Sequence, residues 1–276
     1  MSIFSGICAI LIAGCAWCNW TFDAPSHSTE WKKLWSVPVK AEFIECDPLD
    51  QVYALNGAEL IKFKADGSVF RVYSNKTLGR ITKADCSNPL KISVFYKELG
   101  RLIFLDNTLS EQGEAIKMED LGLELAHTTA TSADENGIWI YDPVDFRLLR
   151  YNSAFKIKAQ VEQINQLLAL ENPPSSMLEA GNYLIMAVPE NGIYILDIFG
   201  TFIRKFDIKN CDKLFKAEDG FVYWNKTTQQ LFQKSWKGPD ALELTLPVKE
   251  CKDVAVSKNC VFILKNDTLS AFRRGS

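Results

Sequence analysis

Short apolar bursts separated by turn residues run along most of this chain. The clearest stretch is residues 181–208, GNYLIMAVPENGIYILDIFGTFIRKFDI. Three apolar runs, 183–188, 193–198 and 201–208, are cut there by Pro189-Glu190-Asn191-Gly192 and by Phe199-Gly200. Runs of this length, rich in Ile, Val, Tyr and Phe and bounded by Pro, Asn and Gly, predict antiparallel strands joined by tight turns. With 176–179 placed before them they make a unit of four strands.

The pattern recurs. Residues 41–74 predict strands at 41–46, 51–55, 59–64 and 68–73, with Asn56-Gly57 and Asp66-Gly67 as hairpin signals. Further units fall at 81–118, 127–160 and 213–248. The last has strands at 253–257, 261–264 and 268–273, one fewer than the others. A lone strand at 31–39, WKKLWSVPV, stands at the opposite end with no hairpin partner beside it. A repeat of about 40 residues fits propeller blades. Open sheet edges are a liability, so the lone strand is expected to complete the last blade and close the ring. The expected fold is all-β, a six-bladed β-propeller of four-stranded antiparallel blades, occupying residues 31–276. Two connections, 118–126 and 161–175, exceed a turn and read as partly helical; the second ends at Pro173-Pro174. Long loops in a compact domain are often functional.

The segment NGIYILDIFGTFIRKF (191–206) resembles NHL and related six-bladed propeller repeats: an apolar strand ending in Asp, a Gly-containing turn, then a strand of the Phe-Arg kind. ELIKFKADGSVFRVY (59–73) has the same cadence, whereas FRLLRYNSAFKIKA (146–159) lacks the turn Gly. The whole is similar to a group of exported propellers of Gram-negative envelopes. That resemblance implies a fold and a compartment, and no reaction.

The first 22 residues carry no charged side chain, and 3–16 are mostly apolar or small. That is short for a membrane span, which needs about 20 apolar residues, and fits a secretory leader. Ile12-Ala13-Gly14-Cys15 resembles a bacterial lipobox, which implies lipidation of Cys15; a plainly cleaved signal is the alternative. Residues 23–30 read as a linker. The expected location is therefore the periplasm, or a membrane surface through a lipid anchor.

Composition adds little beyond this. The 276 residues are 47% hydrophobic with a net charge of −3, which suits a folded domain with a sizeable core and offers no basic surface for nucleic acid. Of the eight cysteines, Cys46, Cys86, Cys211, Cys251 and Cys260 fall in the repeats, none in a CxxC pair. Cys46 with Cys86, and Cys211 with Cys251, lie at matching heights of adjacent blades and are candidate disulfides. Cys251 and Cys260 belong to opposite ends of one hairpin, about 20 Å apart at 3.3 Å per residue, too far for a bond.

Candidate chemistry follows from the register. The starts of the inner strands carry Lys40, Arg80, Lys83, His127, Lys209, Lys213, Lys249 and Lys252, a basic ring suited to an acidic partner or an anionic ligand. Solvated loop lysines are the plain alternative. Carboxylates stand at the opposite ends: Glu45, Asp85, Glu179 and Glu218. Glu45, Asp85 and Glu218 would be the ligands of a lactonase-like or hydrolase-like channel metal, against which Asp and Glu also simply begin turns. His127 and His27 are the only histidines, and no GxSxG elbow or Gly-rich phosphate loop is present. Trp139 and Trp224 fall in second strands and read as packing between blades. No cofactor is expected. The favoured reading is a non-catalytic scaffold that binds an envelope protein through loops on one face; the rivals are a metal-dependent hydrolase and a sensor of small anions.

Overall fold

The computed structural model describes residues 31–133, 136–238 and 240–275. The leader, the linker, Cys15 and His27 lie outside the described residues. Each apolar run between turn residues forms one strand, and successive strands pair antiparallel in chain order. Strand β1 (Trp31–Pro38) precedes the repeats. Blade one is β2 (Phe43–Cys46), β3 (Val52–Asn56), β4 (Glu59–Phe63) and β5 (Val69–Ser74). Blade two is β6 (Lys83–Asp85), β7 (Ile92–Tyr96), β8 (Arg101–Leu105) and β9 (Ile116–Lys117). Blade three is β10 (Thr128–Ser132), β11 (Gly137–Asp142), β12 (Arg147–Tyr151) and β13 (Ile157–Val161). Blade four is β14 (Ser176–Ala180), β15 (Tyr183–Val188), β16 (Gly192–Asp197) and β17 (Phe202–Phe206). Blade five is β18 (Lys213–Ala217), β19 (Gly220–Asn225), β20 (Gln230–Ser235) and β21 (Ala241–Leu244). Blade six has β22 (Asp253–Val256), β23 (Cys260–Lys265) and β24 (Thr268–Arg274).

The sixth sheet takes its fourth strand from the other end of the described chain, in the order β1-β24-β23-β22. Trp31 lies opposite Arg274 and Pro38 opposite Thr268. This is the closure that the lone strand implies. Trp35 secures it: its ring packs on Phe63 of blade one and Phe262 of blade six, and its indole N–H donates to the Ala65 carbonyl at 2.8 Å. The second strands β3, β7, β11, β15, β19 and β23 are buried almost throughout, because both faces of each middle strand meet a neighbouring blade.

The turn between the third and fourth strands is built alike in blades one to four. Backbone bonds Asp197 N–H to Thr201 O and Gly200 N–H to Asp197 O recur as Asp106/Ser110 with Leu109, and as Asn152/Lys156 with Phe155. The Asp or Asn side chain also accepts two backbone N–H groups, from Phe199 and Thr201 in blade four and from Ala154 and Lys156 in blade three. Gly200 takes φ +87°, and Leu109 and Phe155 take φ +61° and +55° at the same position. Blade three therefore keeps the turn without its glycine, since the Asn152 side-chain bonds hold the strained residue in place.

Three expectations shift. The outer strand of blade two is two residues long, with one isolated bridge, Leu105 to Glu111, ahead of it. The connection 161–175 has helix α1 only at Ile164–Leu167, and Val161 stays in the preceding strand. In 118–126 one 3-10 turn, Met118–Leu121, ends on Gly122 at φ +70°.

Gly67, at φ +85°, sits under Trp35, and a Cβ there would lie 2.7 Å from the indole. Gly67→Ala combines a left-handed backbone with a steric clash at the seam. It is expected to lower unfolding free energy by roughly 1–3 kcal/mol, measured by urea titration; an unchanged midpoint would show that Trp35 does not hold the closure.

Candidate functional site

The inner strand of a blade is a sheet edge. It pairs on one side only, so backbone groups on its other side point into the central channel and need partners. The channel side chains supply several. Ile44 of β2 gives the clearest case: its N–H donates to Asp253 Oδ2 at 2.7 Å, and its carbonyl accepts from Lys213 Nζ at 2.7 Å. Lys213 Nζ also lies 2.7 Å from Asp253 Oδ2 and 3.2 Å from Glu45 Oε1. Blades five, six and one meet at this ammonium. Asp85 of blade two receives the Thr131 N–H at 2.7 Å and its hydroxyl at 2.8 Å, joining blade three. Glu179 of blade four receives the Ala133 N–H at 2.8 Å and the Trp139 indole N–H at 2.7 Å, joining the same blade from its other side.

Electrostatics follow the geometry. Burial pushes the Lys213 ammonium down, but Asp253 and Glu45 reverse this and hold it above the usual lysine range. Burial raises Glu45 above its ordinary value, with Asp253 adding to the rise and Lys213 opposing it. The stronger partner of Lys213 is thus Asp253, the shorter contact. Burial lowers Lys83, which lies near Glu45 and Asp85. His127 is lowered by burial and by Lys97 and Lys83, and its Nδ1 accepts from Lys97 Nζ at 3.0 Å. A neutral imidazole bonded to an ammonium is a packing partner for Lys97.

The channel and the clefts opening from it enclose about 1020 Å³, with Glu45, Lys83, Asp85 and Lys213 among the lining residues. The eight candidate cations do not form one ring. Lys83 and Lys213 project into the channel. Arg80 pairs with Glu42 at 2.6 Å, and Lys252 donates to the Ala41 carbonyl at 2.6 Å. Lys40, Lys209 and Lys249 stay exposed on the face where the inner strands begin, here the upper face.

The alternative metal set does not assemble. Glu45 pairs with Lys213 and Asp85 caps backbone donors, whereas Glu218 stands exposed at the lower mouth, 3.3 Å from Lys258. Among the described residues no three His, Cys, Asp or Glu side chains are placed to share an ion. Asp85 and Glu179 are cross-blade braces and not merely turn starters. Asp253, the carboxylate that matters most to this junction, is marked by the sequence only as the first residue of a strand and is not among the candidates. All five cysteines of the repeats carry free thiols, so neither candidate disulfide is present. Burial raises Cys46 and Cys86 well above the usual thiol range. Trp139 and Trp224 are buried between blades as expected.

The upper face holds a second feature. Its loops over blades two and three expose Leu99 (50%), Leu125 (38%), Val144 (44%), Phe146 (42%) and Leu167 (61%). These loops are bonded into one surface: Met118 N–H to Gly100 O at 2.9 Å, Arg147 to Gly122 O at 3.3 Å, and Ile164 N–H to Phe146 O at 2.9 Å. Residues between the second and third strands, outside the inner-strand starts, supply three of these five: Leu99, Val144 and Phe146.

No family model matches the chain, and no curated protein matches it. Solved structures do. The WD40 domain of Pan2 from Neurospora crassa aligns at a TM-score of 0.64 over 90% of this chain and 97% of that one, with 10% identity. Virginiamycin B lyase from Staphylococcus aureus aligns at 0.56 over 83% of this chain and 79% of that one, with 9% identity. BBS1N, solved in complex with ARL6DN, aligns at 0.53 over 82% and 75%, with 9% identity. The chain is a six-bladed β-propeller with a lyase and a WD40 domain among its structural neighbours, and identities this low speak for the fold alone.

Lys213 and Glu45 make a pH test of the junction. A carboxyl whose folded pKa is raised favours the folded state most below its unfolded value, and that contribution is lost as pH rises through the folded pKa. Glu45→Gln is therefore expected to gain stability relative to the parent as pH rises from about 4 to 7, read as diverging urea midpoints; parallel midpoints would contradict the raised Glu45. Lys213→Met leaves Asp253 and the Ile44 carbonyl without their cation and is expected to cost about 3–5 kcal/mol by the same titration.

Proposed function

We propose that this protein is a non-catalytic, protein-binding propeller of a bacterial envelope, docking its partner on the upper face over blades two and three. The observation that carries this reading is the set of large apolar side chains exposed on hydrogen-bonded loops there, Leu99, Leu125, Val144, Phe146 and Leu167. Solvent-facing Leu, Val and Phe gathered in one patch mark interaction surfaces more often than singly scattered ones. The scaffold beneath is rigid, so the loops are held in place while their sequences remain free to vary. Both connections longer than a turn contribute to this patch, Leu125 from one and Leu167 from the other.

The channel supports the same reading by what its groups already do. Asp85, Glu179 and Asp253 are spent on backbone donors of adjacent blades, and Lys213 on Asp253. Glu45 is paired with Lys213, and Lys83 and Lys216 line the same space without a nucleophile or a second free carboxylate bonded to them, which is a poor set for acid–base or nucleophilic work. The solved complex of BBS1N with ARL6DN is a propeller-like neighbour with a protein partner. The envelope location rests on the leader-like residues 1–22 and the lipobox-like Cys15.

Site-specific photo-crosslinking in envelope fractions tests the reading. A crosslinker in place of Phe146 should give one discrete protein adduct, and one in place of Phe199 on the lower face should give none. Adducts from Phe199 alone, or from neither position in the folded protein, would overturn it.

A further inference from the structure

Charge on the upper face is mixed over blades four to one, where the exposed lysines Lys40, Lys209 and Lys249 stand among exposed Asp207, Asp212, Glu250 and Asp267. The apolar patch has carboxylates around it instead: Glu98, Glu119, Asp120, Glu124 and Asp145, all exposed. Glu119 pairs with Arg101 at 3.3 Å and Asp145 with Arg147 at 2.8 Å, but both remain open to solvent, their side chains 64% and 60% exposed. Arg147 is shared with the buried Asp142 at 2.6 Å, so its charge is already committed. Glu98, Asp120 and Glu124 have no ion pair among the described residues. Lys97 is turned to His127, which leaves Lys117 as the exposed lysine of these loops among the described residues. The molecule's net charge is −3, and these five carboxylates stand within loops totalling a small part of it.

Phe146 adds a conformational argument. It occupies the left-handed region at φ +53° with its ring 42% exposed. A bulky residue with positive φ is a rare choice where Asn or Gly would sit without strain. A large part of this side chain stays open to solvent, where it is available to something outside the chain.

We infer that the docked partner presents a basic, apolar segment: Lys or Arg side chains meeting Glu98, Glu119, Asp120 and Glu124 around apolar side chains seated among Phe146, Val144 and Leu167. This rests on the proposed protein-binding role and specifies its partner. Complementary charge at the rim steers encounter, and the apolar centre supplies most of the hold. An acidic rim also opposes docking of this face on an anionic lipid surface, so a membrane is the occupant the observations disfavour.

The test uses the folded chain immobilised through its C-terminus and a random peptide display library. Selected peptides should be enriched in Lys and Arg flanking Leu, Ile or Phe. A representative synthetic peptide should bind at least tenfold more weakly to Glu119→Lys/Glu124→Lys and to Phe146→Asn/Leu167→Gln. Binding should also weaken as salt rises from 50 to about 300 mM. Phe146→Asn suits the left-handed turn and Leu167→Gln an exposed helical site, so both variants should keep the parent's urea midpoint. Leu49→Ser/Leu90→Ser on the lower face should bind as the parent does. Neutral or acidic selected peptides that still need Phe146 would overturn the basic partner and leave the docking face standing. Peptides insensitive to every upper-face variant would overturn both. Binding of anionic vesicles that depends on Phe146 would replace the protein segment with a lipid surface and overturn this inference.

Discussion

Every blade of this ring has an inner edge whose backbone donors and acceptors face the channel, and the central side chains are organised by the need to satisfy them. Ile44 shows the solution in full, with its N–H on Asp253 and its carbonyl on Lys213. Once a carboxylate caps a donor on the neighbouring inner strand, it also ties two blades together, as Asp85 does for blades two and three. Cohesion between blades then has two sources. Apolar middle strands press face to face, and a polar inner collar fixes the distance between strands that make no ladder with each other. Buried charge is tolerable at Asp85, Glu179, Lys213 and Asp253 because each has a short, specific partner. At the outer side β1 covers β24 as the fourth strand covers the third in the other blades, and so brings both ends of the described chain into one sheet.

These two devices also set the limits of what the sequence revealed. Blade number, strand order and the closing strand were legible because they depend on period-two apolar runs and on turn residues, which are local. Trp31–Pro38 reads as an orphan in the chain and finds its partner only by counting the strands of the last unit. The turn of blade three was less legible: Asn152 replaces the effect of a glycine through its side-chain bonds, so Phe155 adopts a backbone conformation its identity argues against. The length of β9 was misjudged for a related reason, since Glu111 bridges back to Leu105 before a regular ladder can form.

The site was less legible than the fold because register fixes where a side chain starts and not where it ends. The inner-strand starts do carry many cations, yet Arg80, Lys252 and Lys213 bend to acceptors within the protein, at Glu42, the Ala41 carbonyl and Asp253. The carboxylates at the far ends looked like turn residues or metal ligands. Asp85 and Glu179 in fact bond Thr131 and Ala133, each 46 positions away on a neighbouring blade, and Asp253, which the sequence did not single out, reaches Ile44 from 209 positions away. No spacing rule reaches that far without a structure. The exposed patch on blades two and three was signalled only by loop length. Leu99, Val144 and Phe146 sit in second-to-third-strand turns, which a reading centred on inner strands passes over.

The same contrast between spent and unspent groups underlies the proposed role of the molecule. In the channel nearly every charge has an internal partner, so a ligand entering there must compete with bonds that hold the blades together, at a cost in stability. On the upper face the side chains of Phe146 and Leu167 are largely open to solvent, and the neighbouring Glu98, Asp120 and Glu124 have no counter-ion among the described residues. Burying those apolar groups against a partner costs the ring no internal contact, and pairing those carboxylates breaks no brace. Physical capacity for binding therefore lies where the propeller is free to give it, on the loops that the rigid collar beneath them holds still.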